Sequence, residues 1–128
     1  MKYRQINKQN MWVEKLSKTN FKGSPCLFLD RDGVLINWKD YSMKTKDAKL
    51  INGCDKIIKK CNKKKIPVIL ITNQGGIGLG IHTWNDFIKI QKIIINKLLK
   101  KGAQIDGVIA CPYHPLAKGN YKHKNHPC

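Results

Sequence analysis

Carboxylates are scarce in this chain: it has 8 Asp and Glu among 128 residues, against 25 Lys and Arg, for a formal charge of +17. Arginine is scarcer still, because only Arg4 and Arg31 carry a guanidinium and the other 23 cations are Lys. Such a balance ordinarily suggests a polyanionic partner, nucleic acid or an anionic membrane surface. Base and phosphate readers favour the forked guanidinium, however, and no basic recognition motif is present, so nucleic acid is not expected as the main partner. The abundance of Ile and Asn beside Lys points instead to a general compositional bias. No apolar run approaches the roughly 18 to 20 residues of a membrane span, and the polar start MKYRQINKQN is unlike a signal sequence. A soluble, cytoplasmic chain is the resulting expectation. The sequence is silent on assembly, with a monomer as the default.

Five cysteines do not make an even framework of closely spaced pairs. Cys26, Cys54 and Cys61 sit in apolar patterns and read as core thiols, since free Cys packs as a small hydrophobe. A length of 128 residues allows one domain and one core.

Residues 1–24 read as a Lys- and Asn-rich arm, in which Met11, Trp12, Val13 and Leu16 weakly suggest a short helix followed by a loop. The remainder, 25–128, reads as the domain. Residues 26–30, CLFLD, form a buried-strand pattern, as do 67–72 and 105–110. Between them, Cys54, Ile57, Ile58 and Cys61 space out a helix over about 53–65. A second helix follows Thr83, a plausible N-cap with Asp86 three residues on, and stops at Gly102. This order predicts an α/β fold with right-handed crossovers and a parallel sheet. Ligands of such sheets bind at the carboxyl ends of the strands, where Asp30, Thr72 and Cys111 all fall.

Two of the few carboxylates, Asp30 and Asp32, stand one residue apart at the end of the first of these strands. Like charges so close call for a held proton or a cation, and Mg²⁺ with its preference for hard oxygen ligands fits. Gly33 permits a turn that brings Asp32 back towards the centre reached by Asp30. One carboxylate can then attack phosphorus to give an aspartyl-phosphate while the other handles the proton. Calcium loops and surface turns use the same Asp-x-Asp-Gly letters, so the pair alone does not decide. The next strand end adds the Thr72 hydroxyl and the backbone N–H groups of Asn73 to Gly76, which suit phosphate oxygens. The glycines at 75, 76, 78 and 80 lack the register and the downstream acid of a dinucleotide loop.

Asp30-Arg31-Asp32-Gly33-Val34 after an apolar strand, Ile71-Thr72-Asn73-Gln74 with Gly76-Ile77-Gly78, and Cys111-Pro112-Tyr113-His114-Pro115 together resemble the haloacid dehalogenase superfamily of phosphatases. The likeness covers about residues 26–128 and is greatest to the branch of heptose bisphosphate and histidinol phosphatases. The resemblance implies a Rossmannoid parallel sheet with flanking helices, Mg²⁺ and a small-molecule phosphate ester, most like a sugar phosphate, as substrate. It implies that Asp30 is nucleophile and Mg²⁺ ligand. Asp32 would be general acid and base, giving its backbone carbonyl to the metal. Arg31, Trp38, Lys39, Asp40, Tyr41, Thr72, Asn73, Gln74 and Gly75 would bind the phosphate or substrate, with Trp38 and Tyr41 equally readable as packed loop aromatics.

Two departures stand out. The family's structural zinc set falls here on Cys111, Tyr113, His126 and Cys128, and Tyr is not a usual zinc ligand. His114 would have to substitute, making 111–128 a zinc loop held by Cys111, His114, His126 and Cys128. The family's later Arg-Lys-Pro and its further acids have no counterpart, so the fold is expected to be truncated at its C-terminus with apolar sheet surface bare. Besides a phosphatase, a catalytically deficient fragment or a basic phosphate- or nucleic-acid-binding module remains open.

Overall fold

The computed structural model describes residues 6–37, 40–41 and 43–122. Four strands form one sheet: β1 (Trp12–Lys15), β2 (Leu27–Asp30), β3 (Val68–Asn73) and β4 (Gly107–Cys111), in the spatial order β1-β4-β3-β2. The expected parallel set is present, with β2 beside β3 and β3 beside β4, each pair in parallel register.

β1 corrects the reading of residues 1–24 as an arm with a short helix. It runs antiparallel along β4, from Trp12 opposite Ala110 to Lys15 opposite Gly107. A few apolar residues cannot sustain a helix nucleus, whereas the open edge of β4 offers a ladder at once. Trp12 then buries against Trp84 at 5.8 Å and meets the edge of Phe87 at 5.9 Å. Asp106 ties the rest of the segment down: it accepts from Val68 N–H at 2.8 Å and from Thr19 Oγ1 at 3.1 Å, while its carbonyl accepts from Leu16 N–H at 2.8 Å. Burial pushes the Asp106 carboxyl up, but hydrogen bonds from Ser17, Val68, Gln104 and Thr19 outweigh it and leave the pKa below the ordinary value.

Among the described residues three α-helices lie between the parallel strands: α1 (Cys54–Lys63), the single turn α2 (Gly75–Gly78) and α3 (Trp84–Lys100). α3 begins where Thr83 and Asp86 predict it, in a reciprocal capping box. Two right-handed crossovers that step in the same direction across a sheet put their helices on the same face. Accordingly Ile58 of α1 and Phe87, Ile90, Ile94 and Leu98 of α3 share one core with Val68, Leu70, Val108 and Ala110. On the opposite face Phe28 is 58% and Ile71 43% exposed. Cys26, Cys54 and Cys61 are free but only half-buried, at the margin of the core rather than inside it. Burial raises the thiol pKa of Cys26 and Cys54.

Candidate active site

Strand register sets the site. Asp30 pairs with Ile71, so Thr72 lies one step beyond it on the neighbouring strand, and Asn73 is opposite Cys111 on the next. Three parallel strands therefore end together with Asp30, Thr72, Asn73 and Cys111 at their carboxyl edge. Asp30 is exposed, and its Oδ1 accepts from the Arg31 backbone N–H at 2.7 Å.

Asp32 is held quite differently. Its Oδ1 accepts from Arg31 Nε at 2.7 Å, and its Oδ2 accepts from Arg31 Nη2 at 3.1 Å and from Gln74 Nε2 at 3.0 Å. Gln74 Nε2 also reaches Thr72 Oγ1 at 2.9 Å, which links the second carboxylate to the hydroxyl at the end of β3. Arg31 is 2% exposed, lies 5.4 Å from the Phe87 ring and carries a buried Nη1 without a partner. The expected substrate roles of Arg31 and Gln74 are thus not what their side chains do here: both turn inward and grip Asp32. A buried guanidinium satisfies itself on the nearest carboxylate, because leaving it unpaired is far costlier.

The loop after β3 also differs from an open cradle. Gln74 N–H donates to the Cys111 carbonyl at 2.7 Å, so that donor is spent on the sheet edge rather than on an anion. Residues 75–78 wind into α2 although Gly is a poor helix former, and at 75, 76 and 78 the packing leaves no room for a side chain. A Cβ on Gly78 would run into the Pro112 carbonyl, one on Gly76 into the His82 ring and to 2.7 Å from Tyr41, and one on Gly75 to 3.0 Å from His114.

A cavity of about 50 Å³ opens among Arg31, Asp32, Tyr41, Asn73, Gln74 and His82. Tyr41 is therefore drawn to the site, held in the left-handed region at φ 46°. Asp40 stands exposed in the adjoining turn. Trp38 and Lys39 lie outside the described residues. His82, which the sequence did not single out, is 8% exposed with both ring nitrogens unpaired. Burial lowers its pKa, the nearby Arg31 charge lowers it further, and Asp86 and Asp32 oppose. Its one sequence signal was a titratable residue just before the Thr83 cap, a place that reads as surface.

The zinc set finds no support. Cys111 is disulfide-bonded and so not a thiolate, and His114 Nδ1 accepts from Leu116 N–H at 3.1 Å. His126 and Cys128 lie outside the described residues, and no group of three or more His, Cys, Asp or Glu placed to hold a metal occurs among the described ones. Tyr113 takes a structural place instead: its Oη donates to the Gln9 carbonyl at 3.0 Å, and its ring meets Tyr121 edge-on at 5.8 Å.

No family model matches the chain. The D-glycero-beta-D-manno-heptose-1,7-bisphosphate 7-phosphatase of Mesorhizobium japonicum is 31% identical over 123 residues, which are 95% of this chain and 57% of that protein. The protein of the same name from Photorhabdus laumondii is 31% identical over 107 residues, 84% of this chain and 57% of that one. Among solved structures, a HAD-like phosphatase from Mesorhizobium loti superposes with a TM-score of 0.85 at 32% identity, covering 91% of this chain and 56% of that one. The D,D-heptose 1,7-bisphosphate phosphatase of B. bronchiseptica, solved with magnesium and phosphate, gives 0.66 at 24% identity over 77% of this chain and 55% of that one, a likeness of fold. The chain spans a little over half the length of these relatives.

Proposed function

We propose, on the premise that this chain is a relative of the haloacid dehalogenase-like phosphatases and shares their fold, that it acts as a Mg²⁺-dependent phosphomonoesterase on a sugar phosphate of the heptose bisphosphate kind. The observation that carries the reading is the parallel register that sets Asp30 one step from Thr72 at the carboxyl edge, with Asp32 hydrogen-bonded into the same group through Gln74.

The donor set suits a hard cation. The Asp30 carboxylate is exposed, and among the described residues no backbone hydrogen bond uses the Asp32 carbonyl, so both are hard oxygen donors open to a cation. Bound there, Mg²⁺ would neutralise charge on the phosphoryl oxygens. Asp30 Oδ1 is engaged by Arg31 N–H, which orients the carboxylate and leaves Oδ2 to attack phosphorus. The P–O bond to the sugar breaks as the new O–P bond forms, and the departing oxygen takes a proton from Asp32. Water then cleaves the aspartyl-phosphate, with Asp32 accepting its proton. Asp32 keeps room for that proton, because among the described residues its Oδ1 accepts from Arg31 Nε alone while its Oδ2 accepts from Arg31 Nη2 and Gln74 Nε2.

Hydrolysis of sugar phosphates by the purified chain, with and without Mg²⁺, tests the reading. Release of phosphate that needs Mg²⁺ and is lost in Asp30→Asn, with Asp32→Asn slower by about 10²- to 10⁴-fold, is the expected result. Turnover that survives Asp30→Asn would sink it.

A further inference from the structure

Gln91 breaks the apolar stripe of α3. The helix turns Trp84, Phe87, Ile90, Ile94 and Leu98 into the core, and the same face carries this Gln, 3% exposed, with neither its amide nitrogen nor its amide oxygen paired among the described residues. An unpaired buried amide is destabilising where a Leu of similar size is not, so its place calls for a partner. The edge strand opposite repeats the anomaly. Side chains alternate along extended chain, and Trp12 and Leu16 both pack on the core, so Glu14 between them also turns inward. It is half-buried, and its Oε2 accepts from Trp12 Nε1 at 3.3 Å.

Both polar side chains line one cavity. It measures about 480 Å³ and lies between β1 and α3, with Trp12, Leu16, Phe87, Ile88 and Ile95 as its apolar walls. That volume is in the range of small-molecule sites and far exceeds the cavity of about 50 Å³ among Arg31, Asp32 and His82. The two cavities have no lining residue in common, and β1 stands three strand spacings, about 14 Å, from β2 at the other edge of the sheet. The walls suit a flat apolar body, and Gln91 asks for an edge that carries a donor beside an acceptor; a lipid tail would leave the amide stranded. Glu14 and Lys92 both line the cavity and balance in charge, which suits a neutral ligand. Glu14 and the exposed Asn85 and Asn96 offer hydrogen bonds to a hydroxyl-bearing end. We propose that this cavity binds an aminopurine nucleoside, its base against Gln91 and its ribose towards Glu14. Gln pairs with adenine through two hydrogen bonds, the amide oxygen accepting from the exocyclic amine and the amide nitrogen donating to a ring nitrogen. Because the Gln91 amide holds no hydrogen bond among the described residues, it breaks none in turning to the base. The site is independent of phosphate ester hydrolysis.

Isothermal titration calorimetry of the full chain with adenosine, and with purine riboside, which lacks only the amino group, tests this. Adenosine should bind saturably at one site, and purine riboside more weakly by about tenfold or more. Gln91→Leu should lose that discrimination, and without ligand it should melt about 3 °C or more above the wild type, because the unpaired amide is gone. Adenosine should raise the Tm of the wild type and not that of Gln91→Leu. Absence of saturable adenosine binding, equal affinity of the wild type for the two nucleosides, or discrimination kept in Gln91→Leu would overturn the proposal. So would a Gln91→Leu protein no more stable than the wild type, since the amide would then be satisfied already.

Discussion

Removing either partner of the Arg31–Asp32 pair should destabilise the protein unequally, and the inequality follows from burial. Arg31 has 2% of its side chain exposed and Asp32 21%, with two hydrogen bonds between them at 2.7 and 3.1 Å. Asp32→Asn turns an amide N–H₂ towards the donors of Arg31 and Gln74 and strands a buried guanidinium, a loss of about 3 kcal/mol or more. Arg31→Met leaves Asp32 with partial solvent and the Gln74 hydrogen bond, and it removes the unpartnered Nη1, whose burial itself costs about 1–3 kcal/mol. A net loss of about 1 kcal/mol is therefore expected for Arg31→Met. In the double variant the stranded charge is gone, so the two losses should fail to add by about 2 kcal/mol, or roughly 6–12 °C in Tm for a domain of this size. Urea unfolding of the four proteins at pH 7 measures this. Additivity within about 0.5 kcal/mol, or a larger loss from Arg31→Met than from Asp32→Asn, would refute the reasoning.

Other outcomes follow from the same contacts. Gly78→Ala places a methyl on the backbone carbonyl of Pro112, which cannot turn away, so a loss of about 1–3 kcal/mol is expected by chemical denaturation; Gly76→Ala should lose less, because the His82 and Tyr41 rings can shift. His82 has its pKa depressed by burial, so its unfolded form binds protons first. Stability should be level above about pH 6.5, fall as pH drops below it, and lose that dependence in His82→Phe. The Asp106 carboxyl, also depressed, adds a separate loss only below about pH 4, which Asp106→Asn should abolish. Millimolar Mg²⁺ should raise the Tm of the wild type and not of Asp30→Asn, as read by differential scanning fluorimetry.

The parallel strands, α1 and α3 were legible because continuous apolar runs and a 3.6-residue stripe are strong local signals, and Thr83 with Asp86 fixed a helix start almost to the residue. β1 was not legible: its four residues acquire strand geometry only from the edge of β4, a contact 98 positions away between Trp12 and Ala110. The positions of Asp30 and Thr72 at one edge could be foreseen from strand ends alone. What Arg31 and Gln74 do could not, because a polar side chain beside a site reads the same whether it faces outward to a substrate or inward to a carboxylate. His82 escaped for a related reason, since its burial depends on Gly76 and Tyr41, remote from it in pattern though close in space.

The most direct measurement is the covalent intermediate itself. Protein mixed with a sugar bisphosphate and Mg²⁺ is quenched in acid within the first turnover and mapped by peptide mass spectrometry. One added phosphoryl group on Asp30, absent from Asp30→Asn and more persistent in Asp32→Asn, is the expected result. Phosphate released with Asp30 unmodified at every quench time, or a phosphoryl group found on another residue, would contradict it.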